Sequence, residues 1–81
     1  MIRIVLAEDQ AILRESLACT INLQDDMQVV KAVPNAAAAF DALQKIDADL
    51  ALLDVCDEHG STRITVAKQI LAAKPDIKVV I

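Results

Sequence analysis

The sequence has almost no aromatic residues and almost no glycine. Among 81 residues there is one phenylalanine, Phe40, no tryptophan or tyrosine, and a single glycine, Gly60. One glycine excludes the glycine-rich phosphate-binding loops of nucleotide and dinucleotide folds, because those loops need several. Apolar residues nevertheless make up 56% of the chain. The sequence therefore predicts one small domain with an aliphatic core.

Basic residues and cysteines are also few. Eight lysines and arginines stand against twelve acids, so the formal net charge is −4, and no basic stripe is present. Contact with DNA by this chain itself is therefore not expected. Cys19 and Cys56 follow no metal-binding or redox spacing, which favours free thiols in a reducing compartment. No apolar run has transmembrane length and no signal-peptide pattern is present, so we expect a cytoplasmic protein without membrane contact.

The apolar pattern alternates between strand-like runs and helix-like periods. Strands are predicted at residues 2–7, 28–33, 49–55 and 77–81, and helices at 10–23, 36–46 and 63–74. Strands that recur with a helix between them are typical of a parallel sheet with right-handed crossovers. The sequence thus predicts an α/β domain over residues 1–81, built as a doubly wound parallel sheet in the order β-α-β-α-β-α-β.

Side chains at the element ends refine this prediction. Asp9 is placed to cap the first helix and Asn35 the second. Lys31 places the second strand near an edge of the sheet. The residues expected on the buried helix faces are Leu13, Leu17 and Ile21 in the first helix, Ala39, Phe40 and Leu43 in the second, and Ile64, Ala67, Ile70 and Leu71 in the third.

Acidic residues follow two of the predicted strands. Glu8 and Asp9 come directly after the first strand, and Asp54 lies near the end of the third. Ligands of open parallel sheets bind beyond the carboxyl ends of the strands, so neighbouring strands would bring three carboxylates together. A hard cation such as Mg²⁺ would offset their mutual repulsion, and Asp54 could accept a phosphoryl group. The structural alternative is that Asp9 only caps a helix and Asp54 only ends a strand.

These motifs resemble the receiver domain of bacterial response regulators (CheY-like), and most closely that of NarL/LuxR-type two-component regulators. The resemblance rests on IVLAEDQ at residues 4–10, Leu13-Arg14, and DLALLD at residues 49–54. It implies a flavodoxin-like sheet with strand order 2-1-3-4 and a regulatory switch rather than an enzyme. It also implies Asp54 as the phospho-acceptor, a sensor histidine kinase as the phosphoryl donor, and Mg²⁺ held by Glu8, Asp9, Asp54 and the backbone carbonyl of Cys56.

The sequence departs from the family pattern in two places. The loop after Asp54 lacks the usual Met-Pro and carries two further acids, Asp57 and Glu58. The chain also matches only part of a receiver, because the last strand, the last two helices, the switch hydroxyl and the essential lysine are not in it. We therefore expect a homodimer or strand-exchanged oligomer through an exposed fourth strand, and DNA binding only in a missing C-terminal domain.

Two other interpretations stay open. The altered loop and the missing lysine are also compatible with a degenerate receiver-like interaction module that is not phosphorylated, or with an inactive fragment. A transition-metal site at Cys56 and His59 is disfavoured, because so short a loop cannot supply four tetrahedral ligands by itself.

Overall fold

The computed structural model describes residues 1–54 and 62–81, and these form four strands and three helices in strict alternation. Their bounds are β1 Ile2–Glu8, α1 Ala11–Asn22, β2 Met27–Val33, α2 Ala36–Lys45, β3 Leu50–Asp54, α3 Thr62–Ala73 and β4 Lys78–Val80. The predicted element order is confirmed, and each described boundary lies within about two residues of its predicted position. Val55, predicted to end the third strand, lies outside the described residues.

All strand pairs are parallel, and the sheet has the order β2-β1-β3-β4. This confirms the doubly wound α/β fold and the strand order 2-1-3-4. The central strand β1 contains Val5, Leu6 and Ala7, all fully buried, as its continuous apolar run predicts. The strand with Lys31 lies at an edge, also as predicted. Its pairing with β1 contains a bulge, because the register shifts from Ile4↔Val29 to Val5↔Lys31.

The hydrophobic core lies on the face of the sheet that α2 and α3 cover. Ala39 and Leu43 are buried there, whereas Phe40 is only half-buried at the margin of the core. The other buried members of the cluster are Val5, Ala7, Val33, Ala36, Ala51, Leu53, Val66, Ala67, Ile70 and Ile77. Helix α2 begins at its predicted cap, since the Asn35 Oδ1 accepts a hydrogen bond of 2.7 Å from the Ala38 N–H.

The predicted buried face of α3 is partly wrong. Ala67 and Ile70 are buried, but Ile64 and Leu71 are exposed, and Val66 occupies the core instead. A helix that packs on a sheet beside another helix buries a narrow stripe. Val66, Ala67 and Ile70 form that stripe at the i, i+1, i+4 spacing, and they turn Ile64 and Leu71 away from it.

The opposite face of the sheet is covered only thinly. Helix α1 packs against β1 and β2 but contains no buried residue. Leu17 and Ile21 are half-buried, and Leu13 is 41% exposed, so the predicted apolar stripe of α1 is present but shallow. Alternation along β1 places Ile4, Leu6 and Glu8 on this face. The acidic end of β1 therefore lies on the less protected side of the sheet.

Hydrogen bonds at the amino end of the sheet fix how β1 lies against β3. The Arg3 N–H donates to the Asp49 carboxylate at 2.8 Å, and the Asp49 N–H donates back to the Arg3 carbonyl at 2.8 Å. The Lys78 N–H donates to the Asp49 carbonyl at 3.1 Å. Asp49 thus joins three strands at the end opposite the acidic residues. No described helix is long and apolar enough to span a membrane.

Substitutions on the two faces of the sheet should differ in their effect on stability. Leu43→Ala empties a fully buried core position and should lower the free energy of unfolding by about 2–5 kcal/mol, or unfold the chain. Leu13→Ala, on the shallow face, should cost on the order of 1 kcal/mol. Both changes place alanine within a helix, so helix propensity does not confound the comparison. Urea unfolding followed by circular dichroism measures the difference, and equal losses would contradict the asymmetry of the core.

The edge strand β4 should mediate association of a polypeptide of these 81 residues. Val80 and Ile81 are 45% and 59% exposed, and β4 pairs only with β3 among the described residues. An exposed apolar edge is a template for pairing with another chain. Size-exclusion chromatography with light scattering should show concentration-dependent oligomers, and Val80→Lys with Ile81→Lys should shift them to monomer. The control pair Ile12→Lys with Leu23→Lys, exposed elsewhere, should leave the oligomers unchanged, and a monomeric unsubstituted chain would contradict this prediction.

Candidate acidic site at the carboxyl end of the sheet

The register between β1 and β3 brings two of the predicted acids together. The ladder runs without a break from Ile4↔Leu50 to its last pair, Glu8↔Asp54. Both acids stand at the carboxyl ends of adjacent parallel strands, where ligands of such sheets bind. The sequence-based expectation that the first and third strands are neighbours is confirmed, and with it the juxtaposition of Glu8 and Asp54.

The two paired acids differ sharply in exposure. Glu8 is 3% exposed and is the only buried charged residue in the described part of the chain, whereas Asp54 is exposed. The Glu8 Oε1 accepts a hydrogen bond of 3.1 Å from the Gln10 N–H, so its carboxyl is turned toward the start of α1. Asp9, the next residue, is exposed. The site therefore combines one inward-facing acid with two acids that solvent can reach.

Burial raises the pKa of the Glu8 carboxyl above its ordinary value. Hydrogen bonds with the side chains of Asp9 and Asp54 and the negative charge of Asp54 raise the pKa further, and the bond from the Gln10 N–H lowers it. The first effect is desolvation of the charged form, and the others follow because neighbouring carboxylates favour a shared proton. Glu8 is thus in contact with both of the other acids, and a positive charge at the site would relieve their repulsion.

The prediction that Asp9 caps α1 is wrong. The helix begins after Gln10, and no side chain caps it through a hydrogen bond. Strand β1 continues through Glu8, one residue further than predicted, so the turn into the helix begins later. The Asp9 carboxylate is therefore not used as a cap, which removes the purely structural role considered for it.

Sequence reasoning missed one participant, Arg14. From the sequence alone, Arg14 is only part of the motif that carries the resemblance, and no role is predicted for it. In the structure it is half-buried, and its Nη1 donates a hydrogen bond of 2.8 Å to the Glu8 carbonyl. The available signal was its place in the first turn of a helix that follows directly from the acidic pair. A long cationic side chain there can reach back to the carbonyl groups at the end of the strand.

The predicted metal ligands fall into two groups. Glu8, Asp9 and Asp54 lie at one end of the sheet, whereas Cys56, whose carbonyl completes the predicted set, lies outside the described residues, as do Asp57, Glu58 and His59. Within residues 1–54 and 62–81, no three acidic, histidine or cysteine side chains are arranged as a group that could hold a metal ion. This is consistent with the inward orientation of Glu8, which leaves Asp9 and Asp54 as the accessible acids.

A parallel sheet in the order 2-1-3-4, with acids at the ends of its first and third strands, is the arrangement that the resemblance to receiver domains implies. No protein-family model matches the chain. Curated proteins do match it over 98% of its length. The oxygen regulatory protein NreC of Staphylococcus carnosus is 28% identical, and the transcriptional regulatory protein LnrK of Bacillus subtilis is 30% identical, each over 79 residues. The chain spans 36% of the length of each of these relatives.

Solved structures share the fold. The isolated receiver domain of RcsB from Salmonella enterica serovar Typhimurium, solved in the presence of the phosphomimetic BeF₃⁻, superposes with a TM-score of 0.77 at 20% identity, over 96% of this chain and 58% of that one. RcsB in a complex with DNA, described as a two-component response regulator, gives a TM-score of 0.80 over 96% of this chain and 40% of that one, also at 20% identity. Together with the sequence relatives, these structures confirm the resemblance to response-regulator receiver domains.

The buried Glu8 should make stability depend on pH in a defined direction. A carboxyl whose pKa is higher in the folded than in the unfolded chain lowers the free energy of unfolding as the pH rises through the folded-state pKa. Glu8→Gln keeps the shape and removes the charge. In metal-free buffer it should therefore be more stable than the unsubstituted chain at pH 7. The difference should vanish at acidic pH, where Glu8 is protonated in both the folded and the unfolded chain.

Urea unfolding at several pH values measures this difference. The matched control is Glu15→Gln, an exposed glutamate in α1, which should show no such trend. A Glu8→Gln chain that is less stable at pH 7, or that differs by the same amount at every pH, would contradict the assignment of Glu8 as a buried, proton-retaining acid.

Proposed function

We propose that this chain is the phospho-accepting part of a receiver in a two-component regulator, with Asp54 as the acceptor. The observation that carries the proposal is the pairing of Glu8 with Asp54 at the carboxyl end of the sheet, which leaves the Asp54 carboxylate exposed beside two other acids. An exposed carboxylate is accessible for attack on an incoming phosphoryl group. The names of the sequence relatives, which describe regulatory proteins, point in the same direction.

The accessible donors fit Mg²⁺. This ion prefers oxygen ligands, keeps several waters and is commonly held through one or two carboxylates, so it does not require three protein side chains in a cage. Asp9 and Asp54 would hold it, with Glu8 behind them and the Cys56 carbonyl as the further ligand that the family resemblance implies. When bound, the ion neutralises charge on the transferring phosphoryl group.

The reaction proposed for Asp54 is the transfer of a phosphoryl group from a histidine nitrogen to a carboxylate oxygen. A carboxylate oxygen of Asp54 attacks the phosphorus of a phosphohistidine, and the P–N bond breaks as the new O–P bond forms. The electron pair of the broken bond stays on the imidazole nitrogen, which takes up a proton. The partner that presents a phosphohistidine is a sensor histidine kinase. This chain then acts as a substrate and a switch rather than as an enzyme with turnover.

Output belongs to another part of the regulator in this proposal. The relatives extend well beyond the region that the chain matches, and RcsB is described in a complex with DNA. The chain itself carries a net charge of −4 and no basic stripe, so DNA contact would come from a separate domain. Phosphorylation of Asp54 would reach that domain through a change in this one.

A receiver-like interaction module that is not phosphorylated is the second candidate. It is favoured by the buried position of Glu8, whose raised pKa makes it a weaker partner for a cation than an exposed carboxylate. The two functions differ in a single chemical property, the ability of Asp54 to accept phosphate, so one experiment separates them.

A small phosphoramidate or acyl phosphate donor should phosphorylate the chain only when Mg²⁺ is present. Intact-mass spectrometry should show the addition of one phosphoryl group, and the product should be labile to base, as an acyl phosphate is. Asp54→Asn should abolish the product. The matched control Asp25→Asn, at an exposed aspartate in the turn before β2, should leave the product unchanged.

The same samples test the fold of the variants. Asp54 is exposed, and the hydrogen bond between its side chain and the Glu8 carboxyl is one that asparagine can also make. Circular dichroism of Asp54→Asn should therefore match that of the unsubstituted protein. Absence of phosphate on the folded, unsubstituted chain would contradict the proposal and favour the interaction module. Persistence of phosphate in Asp54→Asn would rule out Asp54 as the acceptor.

A further inference from the structure

The turn that joins β1 to α1 is closed by three hydrogen bonds. The Gln10 N–H donates to the Glu8 carboxyl at 3.1 Å, and the Arg14 N–H donates to the Gln10 carbonyl at 2.8 Å. The third bond, also 2.8 Å, runs from the Arg14 Nη1 to the Glu8 carbonyl. Asp9 is the residue between the two that are tied. Its backbone is therefore fixed on both sides, although its own side chain is exposed.

The bond from Arg14 gives a hydrogen-bond donor to the Glu8 carbonyl, which lies beyond the end of the pairing between β1 and β2. Pairing between β1 and β2 ends at Ala7↔Val33, so Glu8 lies one residue beyond that ladder. Glu8 is also buried, and a buried carbonyl without a donor costs stability. A guanidinium is a strong donor to such a group because its bond is charge-assisted. Arg14 therefore supplies the Glu8 carbonyl with a donor on the side where pairing with β2 has ended.

This contact holds the backbone next to an exposed acid, Asp9. The bond from Arg14 holds the Glu8 backbone at its carbonyl, and the bond from the Gln10 N–H holds the Glu8 carboxyl. Asp9 lies between these two tied residues, and the side chains of Asp9 and Asp54 both contact the Glu8 carboxyl. Among the described side chains, Arg14 is the one that donates to the Glu8 carbonyl.

We propose that Arg14 is a positioning residue for cation binding: by holding the Glu8 carbonyl, it places the Asp9 carboxylate beside Asp54. This inference rests on the proposed function, since that function is what requires a cation at these acids. Arg14 touches neither the cation nor the phosphoryl group. It acts through the backbone of the turn, as outer-shell partners orient the ligands of a metal.

The proposal and a simple charge effect predict opposite changes in cation affinity when Arg14 is replaced. Arg14 places a positive charge near the site, and removing that charge alone would strengthen the binding of a cation. If Arg14 positions Asp9, its removal must instead weaken binding. Arg14→Gln removes the charge and shortens the side chain that carries the donor. Arg14→Lys keeps the charge and a donor that can reach the carbonyl. Only one donor atom contacts Glu8, so lysine is a fair substitute.

Titration of the 81-residue chain with Mg²⁺ alone tests this inference, by calorimetry and by the amide chemical shifts of residues 8–10. Arg14→Gln should raise the dissociation constant about 10-fold, the lower end of the effect of losing an outer-shell partner. The dissociation constant of Arg14→Lys should stay within about two-fold of that of the unsubstituted chain. Arg3→Gln is the matched control, because it removes the same charge at the opposite end of β1 and should change little.

Unfolding is followed on the same variants, so that weak binding is not mistaken for loss of fold. Should Arg14→Gln be unfolded, Arg14→Met replaces it, since methionine keeps the packing of the aliphatic stem without donors or charge. Unchanged or tighter Mg²⁺ binding in a folded Arg14→Gln or Arg14→Met overturns the positioning role, and so does failure of both to fold. Absence of Mg²⁺ binding by the unsubstituted chain overturns the proposed function itself, which separates the two failures.

Discussion

The in-register parallel pairing of β1 with β3 is the constraint on which the rest of the structure depends. Side chains alternate along a strand, so a slip of one residue would move Asp54 to the other face of the sheet, away from Glu8. Burial prevents such a slip. Leu53 and Ala51 point into the core under α2 and α3, and a shift would bring polar Asp54 there instead. The aliphatic core thus determines the chemistry of the site, although none of its residues takes part in that chemistry.

The site that this register creates is electrostatically unfavourable by itself. Glu8 is buried beside Asp54, and desolvation opposes its charge, as does the charge of its neighbour. Two features offset this. The Gln10 N–H donates to the buried carboxyl, and the carboxyl retains a proton more strongly than an exposed one. A divalent cation would offset the same repulsion more completely, so the arrangement favours a bound positive charge without enclosing one.

Much of the fold could be predicted from the sequence, because the local pattern of each segment identifies its secondary structure. The apolar runs of β1 and β3 and the turn at Asn35 identify strands and a helix start without knowledge of the neighbours. The position of the acids followed from the rule that ligands bind at carboxyl ends of parallel strands. Exposure on α3 was less predictable, since periodicity alone does not say which of Val66 or Ile64 meets the core. The cap at Asp9 failed because strand β1 extends one residue further.

The hydrogen bond of Arg14 could not be predicted from the local sequence pattern. Its role depends on a carbonyl that lies one residue beyond the end of a ladder, and the end of that ladder is set by the length of β2, which also carries a bulge. No local rule in α1 specifies this. A sequence can propose which residues carry chemistry more readily than it can propose which residues hold them in place.

The acidic site lies on the thinly covered face of the sheet, and this determines how it is held. Helix α1 contributes no buried residue, so packing alone cannot fix the turn that carries Glu8 and Asp9. Segments with few buried apolar contacts open more easily than the core. The bonds from Gln10 and Arg14 therefore take over the part that packing plays on the other face. A site held by a few directional bonds is also one that a bound charge can shift, which is a property that a switch requires.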